Sequence, residues 1–142
     1  KDVVVLRGAN HAPQEFEEAL DGVTGVRTGC AVALGFVPAG ADGEELLLLV
    51  ETTPEAGADL VDRIGATVAE RTGVRPHTVQ LLSPGTLPRT SSGKLRRSEA
   101  LRRWTTGTLH PPARVTAVRL VGEMLRSAIA LARTRTHPEP ET

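Results

Sequence analysis

The chain has 142 residues, 39% of them hydrophobic, and a formal net charge of zero. Two phenylalanines, one tryptophan and no tyrosine leave Val, Leu, Ile and Ala to build one modest core. One cysteine excludes an internal disulfide and fits a reducing, cytoplasmic compartment. No apolar run reaches the roughly eighteen residues that a membrane span needs. The four scattered histidines lack the spacing of metal ligands.

The first predicted elements are a short apolar strand at residues 3–7 and a helix that begins at Pro13. Proline suits the first position of a helix. Phe16 and Leu20 are four residues apart and would share the buried face of that helix. The Asp-Gly pair at residues 21–22 is typical of a helix end.

The middle of the chain predicts two strands and a second helix. Residues 30–37 and 45–51 are rich in Val and Leu and are separated by a loop with Pro and Gly, which favours antiparallel neighbours. Residues 46–50 show no polar alternation, so we expect both faces of that strand to be covered. The second helix begins near residue 58 and ends at Gly73. It carries an apolar stripe at intervals of four residues, formed by Leu60, Ile64 and Val68.

A strand at residues 78–83 and a helix at residues 98–104 complete the pattern. The mixed order of elements predicts an α+β fold in which a small mixed or antiparallel sheet is flanked by helices. Residues 105–112 form a turn-rich linker. Residues 113–135 have the periodicity of an extra amphipathic helix, which either docks on the domain or meets a partner or a membrane surface. Residues 136–142 are expected to be disordered.

A loop of small residues between the last predicted strand and the helix that follows it carries one lysine, Lys94. Gly93 allows backbone conformations that other residues avoid, and Pro88 stiffens the start of the loop. A phosphate-binding P-loop requires Ser or Thr after its lysine, but Leu95 stands there. The loop therefore predicts a cation on a mobile tip that meets a transient anion; a solvated basic loop is the plainer alternative.

The pattern around this lysine is long and specific. Read as Leu-Pro-x-Thr-x-x-Gly-Lys-x-x-Arg, it is filled at Leu87, Pro88, Thr90, Gly93, Lys94 and Arg97. It resembles the last motif of the adenylate-forming superfamily, which includes acyl-CoA synthetases, nonribosomal-peptide adenylation domains and fatty acyl-AMP ligases. Residues 1–17 resemble the hinge-and-strand motif of the same superfamily, so the resemblance covers roughly residues 1–104, a lid-type C-terminal domain.

The stretch at residues 7–13 points to one branch of that superfamily. It reads Arg-Gly-x-Asn-x-x-Pro and is more similar to the fatty acyl-AMP ligases than to the acyl-CoA synthetases, which carry a branched apolar residue where His11 stands. The resemblance implies the C-terminal domain of a fatty acyl-AMP ligase, with that of an acyl-CoA synthetase or amino-acid adenylation domain as the alternative. A degenerate, non-enzymatic module that docks a partner through its basic half is the alternative of another class.

The resemblance also implies roles for individual residues. Lys94 would be the catalytic lysine of adenylate formation. The loop that presents it consists of Ser91, Ser92 and Gly93. Lys1 and Asp2 would form the hinge about which the domain swings after that step. The face that then meets the pantetheine thiol of an acyl carrier protein would be formed by Arg7, Gly8, Asn10 and His11.

Because the chain begins at residues that resemble the hinge, we expect it to be a piece of a larger protein. An N-terminal domain would bind the fatty acid, ATP and Mg²⁺, and this chain alone would be inactive, with no metal or cofactor bound. The acyl carrier protein would belong to a polyketide or nonribosomal system.

The zero net charge hides an asymmetry along the chain. Residues 1–88 hold six basic and thirteen acidic residues, a balance of −7, whereas residues 89–135 hold eleven basic and two acidic residues, a balance of +9. A basic half favours an anionic partner, such as an acidic carrier protein, a nucleotide or an acidic face of the N-terminal domain. Nucleic acid is not expected, because aromatic residues that stack on bases are almost absent.

Overall fold

A computed structural model describes residues 2–111 of the chain. Within them the elements follow the order β1 (Val4–Leu6), β2 (Ala9–His11), α1 (Pro13–Ala19), β3 (Val26–Phe36), β4 (Glu45–Thr52), α2 (Leu60–Thr72), β5 (Thr78–Leu82) and α3 (Arg97–Thr105). The predicted helix at residues 113–135, the predicted tail at residues 136–142 and the predicted hinge residue Lys1 lie outside the described residues. The order of strands and helices confirms the predicted α+β class.

The larger sheet has three strands in the order β3-β4-β5, with β4 in the centre. β4 is antiparallel to β3, as predicted, and parallel to β5. Every residue from 46 to 50 is buried, which confirms that both faces of this strand are covered. Successive side chains of a strand point to opposite faces, so β4 contributes to two apolar clusters, one on each side of the sheet.

The two clusters join different helices to the sheet. On one face, Phe16 of α1 and the stripe of α2 pack on β4; the buried stripe residues are Leu60, Ile64 and Val68, as predicted. On the other face, Ala100 of α3 packs with Val32 and Leu87. α2 ends at Gly73, whose φ of 76° and N–H bond to the Ala69 carbonyl close the helix as expected. The sheet is thus flanked by helices on both faces.

A hairpin at the start of the chain differs from the sequence prediction. β1 pairs with β2 in a separate two-stranded sheet, with Leu6 opposite Ala9. Arg7 (φ 49°) and Gly8 (φ 80°) make the connection, which is the backbone that a tight two-residue hairpin turn requires. β2 was not predicted, because Ala-Asn-His has neither apolar alternation nor β-branched residues.

β3 is also longer than the predicted residues 30–37. Its first residue, Val26, pairs with Thr52, and regular pairing resumes at Ala31 after an irregularity. The segment between them was not predicted as strand, because its polar residues and a glycine form no apolar run. None of the helices within residues 2–111 is long and apolar enough to cross a membrane.

Candidate functional site

The loop that carries Lys94 is a short closed turn rather than an open excursion. Its two arms meet where Arg89 and Leu95 form an isolated antiparallel bridge. The Thr90 N–H donates to the Lys94 carbonyl at 2.8 Å, and the Gly93 N–H donates to the Thr90 carbonyl at 2.9 Å. Gly93 has a φ of 86°, a conformation that glycine adopts without the steric strain of a side chain. The glycine therefore closes the turn immediately before the lysine.

The side chains of the turn strengthen it from within. The hydroxyls of Thr90 and Ser92 lie 2.9 Å apart, and the Lys94 N–H donates to the Thr90 hydroxyl at 3.1 Å. Ser91 and Ser92 are exposed at the tip, as is Lys94 itself. Within residues 2–111 the Lys94 ammonium makes no hydrogen bond or ion pair. The structure thus presents a solvated cation on an ordered tip, which leaves its charge available to an anion.

A buried carboxylate, Glu51, holds the segment that leads into this loop. The residue is 1% exposed. The Gly85 N–H donates to it at 2.8 Å, the Leu87 N–H at 3.0 Å, and the Arg27 guanidinium at 3.0 Å. A buried charge is tolerated only with such partners. Glu51 was not predicted from the sequence, although an acid directly after five apolar residues is an unusual signal.

The two sequence motifs are joined physically by Arg97, the first residue of α3. Its Nε lies 2.9 Å from Glu17 Oε2, and its Nη2 lies 2.5 Å from Glu17 Oε1, which is a two-point contact. The same Glu17 carboxylate accepts the Ala33 N–H at 2.9 Å. Hydrogen bonding to Glu17, with the added charge of Asp2, raises the pKa of Arg97. The helix after the lysine loop is therefore fixed to α1 and β3.

Asp2, which was predicted to be part of a hinge, lies two residues before the first residue of β1. Its side chain is 47% exposed and pairs with Arg97 Nη1 at 3.5 Å. Val5 of β1 is exposed, as is Val3 before the strand, whereas Val4 is buried. The Val5 N–H donates to the Glu44 carboxylate at 2.8 Å. The opening segment is thus outside the three-stranded sheet and is held by the side chains of Arg97 in α3 and of Glu44, the residue before β4.

The predicted acceptor-face residues all lie on the β1–β2 hairpin. Arg7, Gly8 and Asn10 are exposed. His11 is half-buried; its Nδ1 lies 3.4 Å from Glu15 Oε2 and its ring lies 5.4 Å from that of Phe16. A Cβ at position 8 would meet no atom within 4 Å, so the turn alone accounts for the glycine here. No hydrogen bond or ion pair in residues 2–111 joins these side chains to the lysine loop.

The described residues also lack an obvious metal centre. Among residues 2–111, no group of three or more His, Cys, Asp or Glu side chains is placed to hold a metal ion.

No protein-family model matches the chain.

Curated proteins of similar sequence are larger than this chain. A Mycobacterium tuberculosis protein that is named as a ligase is 41% identical over 105 residues, which cover 71% of this chain and 19% of that protein. The nonribosomal peptide synthetase apvA of Aspergillus terreus is 36% identical over 70% of this chain and 11% of its own length. The long-chain-fatty-acid–AMP ligase FadD32 of Mycolicibacterium smegmatis is 32% identical over 77% of this chain and 21% of its own. The chain therefore spans at most about a fifth of these relatives.

Solved structures give the same picture of the fold. A structure from a study of fatty acyl-adenylate ligases from E. coli and L. pneumophila matches 75% of this chain and 19% of its own, with a TM-score of 0.60 and 27% identity. A structure of McyG A-PCP with phenylalanyl-adenylate matches 75% of this chain with a TM-score of 0.69 and 22% identity. At that identity the second match speaks for the fold alone.

Proposed function

Because the chain belongs to the C-terminal domains of the adenylate-forming (ANL) superfamily, we propose that it is the mobile C-terminal domain of a fatty acyl-AMP ligase. That enzyme would activate a fatty acid with ATP and pass the acyl group to the pantetheine thiol of an acyl carrier protein. In this proposal an N-terminal domain holds the fatty acid, ATP and Mg²⁺, and the chain described here supplies Lys94.

The proposed role of Lys94 follows from the charges that must meet. A carboxylate oxygen attacks the α-phosphorus of ATP, the P–O bond to the β-phosphate breaks, and pyrophosphate leaves with the electron pair. Two anions approach each other in this step, and charge spreads over the phosphorus oxygens. A positioned ammonium between them orients both groups and offsets their repulsion. It does so without giving up a proton.

One observation carries this proposal: Lys94 is exposed and without an ion pair in residues 2–111, while its loop is closed by hydrogen bonds. A lysine that served the fold would be expected to meet a carboxylate or pack its stem against the core. A cation held by an ordered backbone and left to solvent is instead suited to a charge that arrives with a substrate. Lys94 lies between β5 and α3, and a loop between a strand and a helix is the position that the sequence predicted for it.

The second half-reaction gives the hinge a role. After adenylation the domain would rotate about Lys1 and Asp2, remove the lysine loop and bring the hairpin inward. The thiol of the carrier would then attack the acyl carbonyl, with AMP as the leaving group. Arg7, Gly8, Asn10 and His11 would border its path, since they line the exposed hairpin.

The choice of a fatty acid and a carrier protein has support from relatives. FadD32 is named as a long-chain-fatty-acid–AMP ligase, and JamA of Moorena producens, 30% identical over 77% of this chain, is named as a medium-chain-fatty-acid–[acyl-carrier-protein] ligase. An amino-acid adenylation domain is the second candidate, favoured by the similarity to apvA. An acyl-CoA synthetase is the third, since a Caulobacter vibrioides protein named as one is 35% identical.

A competition between acceptors tests the proposal. The protein that contains this chain behind its ATP-binding domain is given ATP, a fatty acid or an amino acid, and either CoA or a holo acyl carrier protein. We expect a fatty acyl-adenylate and an acylated carrier. Acyl-CoA as the main product, or aminoacyl-adenylate from amino acids alone, would contradict the fatty acyl-AMP ligase assignment and leave the corresponding alternative.

A further inference from the structure

Arg89 connects the lysine loop to the sheet through its guanidinium. It occupies the unspecified position of the Leu-Pro-x-Thr pattern, so the motif itself does not account for it. Its Nη1 donates to the Gly93 carbonyl at 2.7 Å. Its Nη2 donates to the Gly29 carbonyl at 3.1 Å and lies 3.3 Å from the Cys30 sulfur. One guanidinium therefore spans the gap between the loop tip and β3.

The contact at the tip falls on the peptide group that precedes the lysine. The Gly93 carbonyl and the Lys94 nitrogen belong to the same planar unit, so fixing this carbonyl restricts the direction in which the Lys94 side chain leaves the backbone. Gly93 itself offers little restraint, because a Cβ there would meet no atom within 4 Å and glycine tolerates many conformations. The guanidinium supplies the restraint that the residue lacks.

The contact at the other end is made to a fixed part of the sheet. Gly29 and Cys30 lie in β3, in the stretch between Val26 and Ala31 where regular pairing with β4 is interrupted. Gly29 has a φ of 71°, and its carbonyl accepts the Arg89 N–H. Cys30 is buried. The irregularity in β3 thus provides the anchor for the loop.

We propose that Arg89 is a positioning residue for Lys94: it bridges β3 and the Gly93 carbonyl and holds the ammonium in the geometry that adenylate formation requires. This inference rests on the proposed function of Lys94. The planar fork of arginine presents several donors at fixed angles, whereas the ammonium of lysine is a single point. A lysine at position 89 would keep the charge and lose the bridge.

The test compares Arg89→Lys with Arg96→Lys in the full-length enzyme. Arg96 is exposed, lies two residues after Lys94, and its side chain makes no hydrogen bond or ion pair in the described part of the chain. We expect Arg89→Lys to lower the kcat of ATP–pyrophosphate exchange on the order of 10- to 100-fold, the scale of a misplaced catalytic group, with little change in the KM for ATP. Arg96→Lys should stay within about twofold, as a surface change usually does.

The second half-reaction separates positioning from a general loss of structure. Transfer of the acyl group from a supplied acyl-adenylate does not use Lys94 in the proposed cycle, so Arg89→Lys should leave it unchanged. Equal losses in both half-reactions, or a wild-type exchange rate for Arg89→Lys, would overturn the inference. Lys94→Ala is measured alongside: if it too retains exchange, the proposed function fails, whereas a loss with Lys94→Ala and none with Arg89→Lys rejects the positioning role alone.

The 142-residue chain provides a readout that is independent of activity. Backbone amide hydrogen exchange in Arg89→Lys should be faster at Thr90 and Lys94, whose N–H groups close the turn. The amides of β4 should keep their protection, because the Arg89 guanidinium makes no hydrogen bond to that strand among the described residues. Unchanged exchange at the turn would show that the bridge does not hold the loop and would overturn the inference.

Discussion

At the scale of single residues, the site contrasts one solvated cation with a set of tightly paired charges. Lys94 is exposed, while Arg97 is held by Glu17 and Asp2, and Glu51 is held by backbone N–H groups and Arg27. The paired groups fix the two ends of the segment that carries the lysine. The paired groups therefore position the cation. We expect substitutions of these paired residues to affect folding.

Replacement of Arg97 should destabilise the domain. Arg97→Met leaves the largely buried Glu17 carboxylate with the Ala33 N–H as its remaining described partner. Hydrogen bonds to charged groups contribute about 1.5–3 kcal/mol, so we expect the free energy of unfolding in urea to fall by about 2 kcal/mol. The exposed Arg96→Met should change it by less than about 0.5 kcal/mol. Equal stability of Arg97→Met and wild type would show that the pair does not anchor α3.

At the scale of elements, α3 carries its own charge network after the lysine loop. Glu99 in its first turn contacts Arg102 at 2.6 Å and Arg103 at 2.8 Å. Hydrogen bonds from Arg102 and then Arg103 lower the pKa of Glu99 from 4.5 to about 2. The acid also lies at the positive end of the helix, where a negative charge is favourable. The network therefore depends on pH.

The sign of this dependence follows from the lowered pKa. The network contributes its full stabilisation above pH 4.5, where the Glu99 side chain is ionised in both folded and unfolded chains, and loses it as the pH falls towards 2. NMR titration of the Glu99 side-chain carboxyl carbon should give a midpoint near 2. The Arg102→Gln, Arg103→Gln double variant should move the midpoint back towards 4.5. A wild-type midpoint near 4.5 would contradict the network.

The elements that sequence predicted well are those with a repeating apolar pattern. The apolar stripe of α2 and the apolar run of β4 each predicted an element together with its buried faces, and Gly73 predicted the end of a helix. β2 escaped prediction because its pairing comes from a two-residue turn at Arg7 rather than from its own composition. The start of β3 escaped because its residues are polar.

The same distinction holds for the candidate site: residues in a local sequence pattern could be predicted, whereas contacts that form only in the folded domain could not. Lys94 and the turn at Gly93 could be predicted, because the motif and the glycine lie within one short stretch of sequence. The long-range bonds of Glu51, Arg89 and Arg97 could not be predicted from the sequence, because each of them joins residues more than thirty positions apart. Such contacts exist only once the sheet has brought those segments together.

At the scale of the whole molecule, the proposal requires one domain to serve two half-reactions in turn. In this proposal Lys94 would serve the first, and the hairpin that follows Asp2 would serve the second. Asp2 lies outside the three-stranded sheet and pairs with Arg97 at 3.5 Å, near the helix that follows the lysine loop. The torsions of Asp2 can therefore change without breaking the sheet itself.

A proline at the hinge should separate the two half-reactions. Asp2→Pro fixes φ near −65°, so the full-length enzyme should still form the adenylate but should transfer the acyl group at least about tenfold more slowly, because the rotation is blocked. Asp2→Ala is the matched control; it removes the carboxylate and leaves the backbone free. Stopped-flow measurement of adenylate formation and of carrier acylation gives both rates. Equal transfer rates for the proline and alanine variants would argue against the hinge.

The central claim is that Lys94 offers its charge to the attacking carboxylate and the α-phosphate. ATP–pyrophosphate exchange by the full-length enzyme with Lys94→Ala tests it most directly, with urea unfolding to show that the variant is folded. The proposed function predicts a loss of about 10²–10³ in the exchange rate, the usual effect of removing one electrostatic stabiliser, with unchanged stability because Lys94 makes no side-chain bond in residues 2–111. Exchange near the wild-type rate in a folded Lys94→Ala enzyme would contradict it.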